Sequence, residues 1–122
     1  MTERPFSWKE TLHAFGYALQ GIRKFMMNER NARLHLLATI LVVLSSLFFR
    51  VTRWEAVALT VVVGFVWVAE IFNTCIEKTM DFISMEKRKE IKYIKDLAAG
   101  AVLIASLAAF IIGLLIFIPK IR

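Results

Sequence analysis

Leu97 to Ile118 is a run of 22 residues without one formal charge. As an α-helix it would extend about 33 Å, enough to cross the ~30 Å hydrocarbon core of a bilayer. In lipid every backbone N–H and C=O must be satisfied inside the segment, which leaves a spanning helix as the fold available to such a run. Two further apolar runs precede it. Leu34 to Phe49 holds no formal charge save for a protonated His35. Its 16 residues reach about 24 Å, so the helix is expected to extend backward by a turn, with Asn31 and Arg33 snorkelling to the surface. The middle run begins near Trp54 and ends near Asp81. Arg50–Glu55 joins the first two and is short enough to require antiparallel neighbours. The expected architecture is an all-α integral membrane protein with spans at 31–49, 54–81 and 97–118, in a single domain of 122 residues.

Residues 6–27 carry a different pattern. Trp8, Leu12, Phe15, Leu19, Ile22 and Met26 alternate steps of four and three, which keeps them on one helical face. Lys9, Glu10, His13, Gln20, Arg23 and Lys24 take the other side. Ser7 with Glu10 three residues later predicts a capping box. The pattern predicts an amphipathic helix lying on the membrane surface, with Trp8 in the headgroup layer. Asn28–Arg33 reads as a polar knot before the first span. Residues 1–33 contain no uninterrupted apolar stretch, so no cleavable signal peptide is expected.

Hydrophobic residues make up 58% of the chain, yet 21% are charged, so the charges must be segregated from the apolar runs. The net charge of +6 points to anionic lipid rather than nucleic acid as its counterpart. Residues 1–33 hold six Lys and Arg and residues 78–96 six more, against four elsewhere, which places the N-terminus and the second loop in the cytoplasm. Cys75 is the single cysteine, which excludes an intrachain disulfide, and is expected to serve as a small helix-packing residue. In the last run Ala101, Ala105, Ala109 and Gly113 recur every fourth residue, a spacing that predicts close helix packing. Three helices alone shield a charged stripe poorly from lipid, and an oligomer is inferred.

That stripe lies on the middle span. Asn73, Glu77 and Asp81 fall about 300°, 340° and 20° around a helix from Glu70, so the four share an arc of roughly 80°. Acids at membrane depth are costly and mark function by default. Hard cations such as Mg²⁺ take one or two protein carboxylates, with phosphates and water completing the shell. Glu77 near the cytoplasmic end and Glu29 in the knot are the candidates. Glu70, roughly 10 Å deeper than Glu77, is desolvated and has the character of a general base for a lipid hydroxyl. Asn73 suits donation to a phosphoryl oxygen or orientation of Glu70. Lys95 suits neutralising charge on a transferring phosphoryl group, with Asp96 paired to it or capping the helix. Solvation by headgroups is the competing reading for Glu77 and Asp81. His13 and His35 read as solvated or interfacial. The chain has no His–Cys cluster for zinc and no Gly-rich phosphate loop.

Glu70-Ile-Phe-Asn73-Thr-Cys-Ile-Glu77-Lys-Thr-Met-Asp81, followed by Lys95-Asp96-Leu-Ala-Ala-Gly-Ala-Val102, resembles the prokaryotic diacylglycerol kinase family, which includes undecaprenol kinases. The match extends to Gly16-Tyr17, Gly21-Ile-Arg23 and Asn28-Glu29, so it covers essentially the whole chain. The resemblance implies a homotrimer in the bacterial cytoplasmic (inner) membrane, with active sites shared between subunits and ATP as phosphoryl donor. It implies that Glu70 is the catalytic base at the substrate and that Glu29 and Glu77 hold Mg²⁺. Tyr17, Glu86, Lys95 and Asp96 would belong to the nucleotide site, and Asn73 would lie beside the transferred phosphoryl group. The chain departs from the family pattern at Glu86-Lys87-Arg88, where relatives often carry Glu-Tyr-His or Glu-x-His. It departs again at Glu10, where some relatives carry arginine.

The expected activity is transfer of the ATP γ-phosphate to a lipid hydroxyl, with diacylglycerol as acceptor and undecaprenol as the alternative. A small proton-coupled transporter using Glu70 as its proton carrier is the competing class, though such proteins usually place their acid in the first of four spans. A membrane scaffold is a third class and would tolerate alanine throughout the stripe.

Overall fold

The structure, a computed structural model, describes residues 3–121. Its described residues form four helices: α1 (Trp8–Asn28), α2 (Arg30–Phe48), α3 (Arg53–Ile83) and α4 (Lys89–Ile121). The last three are long and apolar enough to cross a membrane. The chain divides into two compact units, Met1–Leu34 and His35–Arg122, with the boundary inside α2.

In the first unit, α1 starts where Ser7 is extended and its hydroxyl accepts from Glu10 N–H at 3.4 Å, the forward half of the expected capping box. Along its apolar face Trp8 is 74% exposed, and Leu12, Phe15 and Leu19 are each 67% exposed. Phe25, near the end, is the one buried side chain of α1. The face that sequence periodicity makes apolar is therefore left uncovered by the chain itself. The polar knot is shorter than expected. Only Glu29 leaves the helical conformation (φ −105, ψ 124), and its N–H closes α1 on Phe25 O. Arg33 Nη1 then donates to Met27 O at 3.3 Å, supplying a cation to the last-turn carbonyls of α1.

In the second unit, α2 ends in a Schellman turn. Val51 N–H reaches back to Ser46 O at 3.2 Å, with Arg50 in the left-handed region at φ 52. A complete capping box then starts α3: Thr52 Oγ1 accepts from Glu55 N–H, and Thr52 N–H donates to Glu55 Oε1 at 2.9 Å. The closest backbone packing between helices is that of α3 against α4. Salt bridges join them at both ends, Lys120–Glu55 at 2.9 Å and Lys95–Asp81 at 2.7 Å, so the two run antiparallel.

α4 begins at Lys89, two turns before the expected start at Leu97. Ile91 is buried and Lys92 pairs with Asp96 across one turn, so the charged segment is itself amphipathic helix. At its other end Pro119 lies in the last turn, where its missing N–H removes a single hydrogen bond, and the helix runs on to Ile121.

Of the small residues expected to pack, Ala98 and Ala105 are buried, Ala109 and Gly113 are half-buried, and Ala101 is not covered within the chain. The buried line on α4 is Ile91, Ala98, Ala105 and Ile116, spaced by sevens and an eleven. Ala101 is exposed, and a Cβ added at Gly100 or Gly113 would meet nothing within 4 Å. The seam follows a coiled-coil-like seven-residue period because α3 and α4 lie side by side over their length, rather than crossing at a point of close approach. Cys75 is likewise exposed rather than packed.

Candidate active site

The buried face of α3 consists of Leu59, Val66, Glu70 and Asn73. Steps of seven, four and three keep these four within about 60° of one another. Glu70 and Asn73 therefore continue the packing seam that Leu59 and Val66 begin. Glu70 is 3% exposed and Asn73 7%. Farther along the same face Glu77 and Asp81 are exposed. The stripe thus passes from a dry end to a wet end within three turns. A single chain already buries its two deepest members, so their burial does not require the oligomer inferred from shielding.

Glu70 meets a partner on α2. His35 Nε2 lies 3.3 Å from Glu70 Oε2. His35 was expected to be solvated or interfacial; it is half-buried and held against the acid instead. One turn along, Trp67 Nε1 donates to Thr39 Oγ1 at 2.8 Å, and that hydroxyl donates to His35 O at 2.7 Å. The signal for the pair is geometric. His35 lies about 20 Å and Glu70 about 26 Å along their helices from the turn that joins them, about one helical turn apart, so adjacent antiparallel helices can bring the two side chains together. From His35 toward the far end of α2, the three spanning helices border an apolar groove of about 560 Å³, lined among others by Val42, Val66, Phe110 and Phe117.

Asn73 Oδ1 is a buried side-chain acceptor with no hydrogen-bond partner among the described residues. An unmet buried acceptor costs about 1–3 kcal/mol, and such atoms call for an explanation in a ligand or a catalytic role. It lies one turn from Glu70 on the same face.

At the wet end the charges pair across helices. Lys95 Nζ bonds Asp81 Oδ1 at 2.7 Å, and Asp96 bonds Lys92 at 2.5 Å rather than Lys95. Glu86 Oε2 accepts from Arg88 at 3.3 Å in the α3–α4 loop. Tyr17, on α1 in the first unit, is 69% exposed, and Glu29, in the same unit, is half-buried at the end of α1. Among the described residues no three His, Cys, Asp or Glu side chains converge as a protein-only metal cage.

A buried acid and an amide with an unmet oxygen thus share one face of α3, and paired charges follow toward its C-terminal end. Known proteins are similar to this chain. The family model for prokaryotic diacylglycerol kinase matches residues 16–117. The chain is 35% identical over 107 residues to undecaprenol kinase from Bacillus subtilis, covering 88% of this chain and 87% of that protein. It is 31% identical over 111 residues to diacylglycerol kinase from Escherichia coli K12, covering 91% of each, and 30% identical over 109 residues to that of Synechocystis, covering 88% of this chain and 62% of the relative. The chain belongs to the prokaryotic diacylglycerol kinase family. It is a lipid kinase, and its three helices of spanning length and composition make it a membrane protein.

Proposed function

We propose that the protein transfers the γ-phosphate of ATP to the hydroxyl of diacylglycerol, giving phosphatidic acid. Undecaprenol is the second acceptor reading, favoured by the 35% identity to an undecaprenol kinase. The observation that carries the proposal is the buried pair Glu70 and Asn73, the latter with an unmet Oδ1, at the dry end of a stripe whose other end is charged and exposed.

In this reading Glu70 is the base. As the acceptor oxygen forms its bond to the γ-phosphorus, its proton passes to the Glu70 carboxylate, the bond from γ-phosphorus to the bridging oxygen breaks, and ADP leaves. Burial of Glu70 keeps water from competing as acceptor. Asn73 Oδ1 can accept from the hydroxyl of the lipid, while its amide N–H donors suit the oxygens of the transferring group. Lys95 brings a cation to that group, and Tyr17, Glu86 and Asp96 complete the nucleotide site.

Mg²⁺ prefers one or two carboxylates together with phosphate and water, and Glu77 and Glu29 fit that donor set. When bound, the ion neutralises charge on the ATP phosphates. A homotrimer with sites shared between subunits is part of the same reading. The uncovered apolar face of α1 suits a helix resting on the membrane surface. Six Lys and Arg in residues 1–33 and six in 78–96, against four elsewhere, support a cytoplasmic N-terminus in the bacterial inner membrane.

The deciding experiment offers [γ-³²P]ATP and Mg²⁺ to purified protein with diacylglycerol and undecaprenol, separately and in competition. Label in an organic-soluble product is expected. Its absence with both lipids overturns both acceptor readings, and preference in competition selects the acceptor.

A further inference from the structure

We propose that His35 is a positioning residue for the Glu70 base, holding the carboxylate at one rotational setting so that the proton-accepting lone pair is presented from a fixed direction. The inference rests on Glu70 being the base. It starts from a chemical requirement: a carboxyl group that is 3% exposed needs hydrogen-bond partners within the protein. Across Leu34–Phe49 and Leu97–Ile118, His35 is the only titratable side chain that sequence provides. Its Nε2 stands 3.3 Å from Glu70 Oε2. In the tautomer that carries its proton on Nε2, His35 donates to Glu70 Oε2.

The terminal torsion of a glutamate is broad and nearly two-fold, so the carboxylate by itself has no preferred setting. A donor fixed in space selects one. The ring and the backbone of His35 each make one further contact. Its ring lies 6.1 Å from that of Trp67, tilted by 57°. Its own carbonyl accepts from Thr39 Oγ1, which in turn receives Trp67 Nε1–H. Residues 35 and 39 on α2 thus meet 70 and 67 on α3 in two cross-helix contacts one turn apart. Two such contacts set both the axial rotation and the register of α2 against α3. α3 packs its backbone most closely on α4, and these side-chain contacts join α2 to the acid. No bond to His35 is made or broken in the reaction; it acts through Glu70.

The test compares His35→Met, which keeps volume without a donor, with His35→Gln, which supplies an N–H at similar reach. Both are assayed as full-length protein in lipid, with kcat and KM for MgATP measured alongside size-exclusion profile and thermal unfolding. His35→Met is expected to lose about 10- to 100-fold in kcat with KM for MgATP within twofold, the scale of a misplaced base. His35→Gln is expected to recover at least a third of the native kcat. In a Glu70→Gln background, His35→Met is expected to change nothing further, because both act on one step. Native kcat in His35→Met, or equal losses in the Met and Gln variants, overturns the inference. A loss in His35→Met that tracks loss of the folded assembly assigns His35 a structural role and overturns it as well. Full activity in Glu70→Gln brings down the base reading itself, whereas an inactive Glu70→Gln beside a native His35→Met brings down only the positioning role.

Discussion

Lys95 Nζ and Asp81 Oδ1 stand 2.7 Å apart, and this bond joins the start of α4 to the end of α3. Lys95 is about one-third exposed and Asp81 about half. A pair in that setting contributes about 1 kcal/mol or less to stability. Its consequence is placement: the ammonium is held at the wet end of the stripe, on the face that carries Glu70 and Glu77. Asp81→Asn should therefore lower thermal stability little and raise KM for MgATP several-fold, while Lys95→Met should lower kcat by about 10²–10³, as for loss of a charge-stabilising donor. Steady-state kinetics on both variants, with unfolding curves, check the contrast.

Glu70→Gln should reduce turnover by about 10²–10⁴ while leaving helix content and assembly intact. The carboxamide keeps the shape and a hydrogen bond to His35 but cannot take up the acceptor's proton. Circular dichroism with the labelled-ATP assay separates loss of chemistry from loss of fold.

Glu77 is exposed and two turns from Glu70, so it can be changed without opening the buried seam. Glu77→Gln should leave folding unchanged and shift the Mg²⁺ dependence of kcat to higher concentration by about tenfold or more, since a neutral amide is a poorer ligand for a hard cation. A Mg²⁺ titration at saturating ATP and lipid gives the answer.

Arg50 occupies a left-handed conformation at φ 52 in the α2–α3 turn, where a side chain with Cβ is strained. Arg50→Gly should stabilise the protein by up to about 1 kcal/mol, the relief of strain outweighing the added freedom of the unfolded chain. Thermal unfolding in detergent at fixed protein concentration measures it, and kcat is expected to be unchanged.

What could be read from residue order alone follows from short-range periodicity. The 22 uncharged residues of Leu97–Ile118 demand a spanning helix, and the steps from Glu70 to Asn73, Glu77 and Asp81 place one arc on one helix face, because both depend only on helical rise and turn. The apolar face of α1 was legible for the same reason. The start of α4 at Lys89 was less so. Charge density over Lys87–Lys92 reads as loop, yet Ile91 finds a buried place and Lys92 pairs with Asp96, and tertiary contact extends the helix through it.

Cross-helix register is a different kind of information. That His35 meets Glu70, that Lys95 chooses Asp81 over its neighbour Asp96, and that Ala98 and Ala105 rather than Ala101 and Gly113 form the seam all depend on how helices rotate against one another. One residue of rotation turns a side chain by 100° and changes every such pairing, while leaving each helix's own pattern untouched. Sequence by itself determined that this chain spans a membrane with helices and carries acids along one face of the middle span. Only the tertiary structure decided which of those acids is dry, which is paired, and that an imidazole from the preceding helix holds the deepest one, because burial and pairing are set by the neighbour's position rather than by the residue's own.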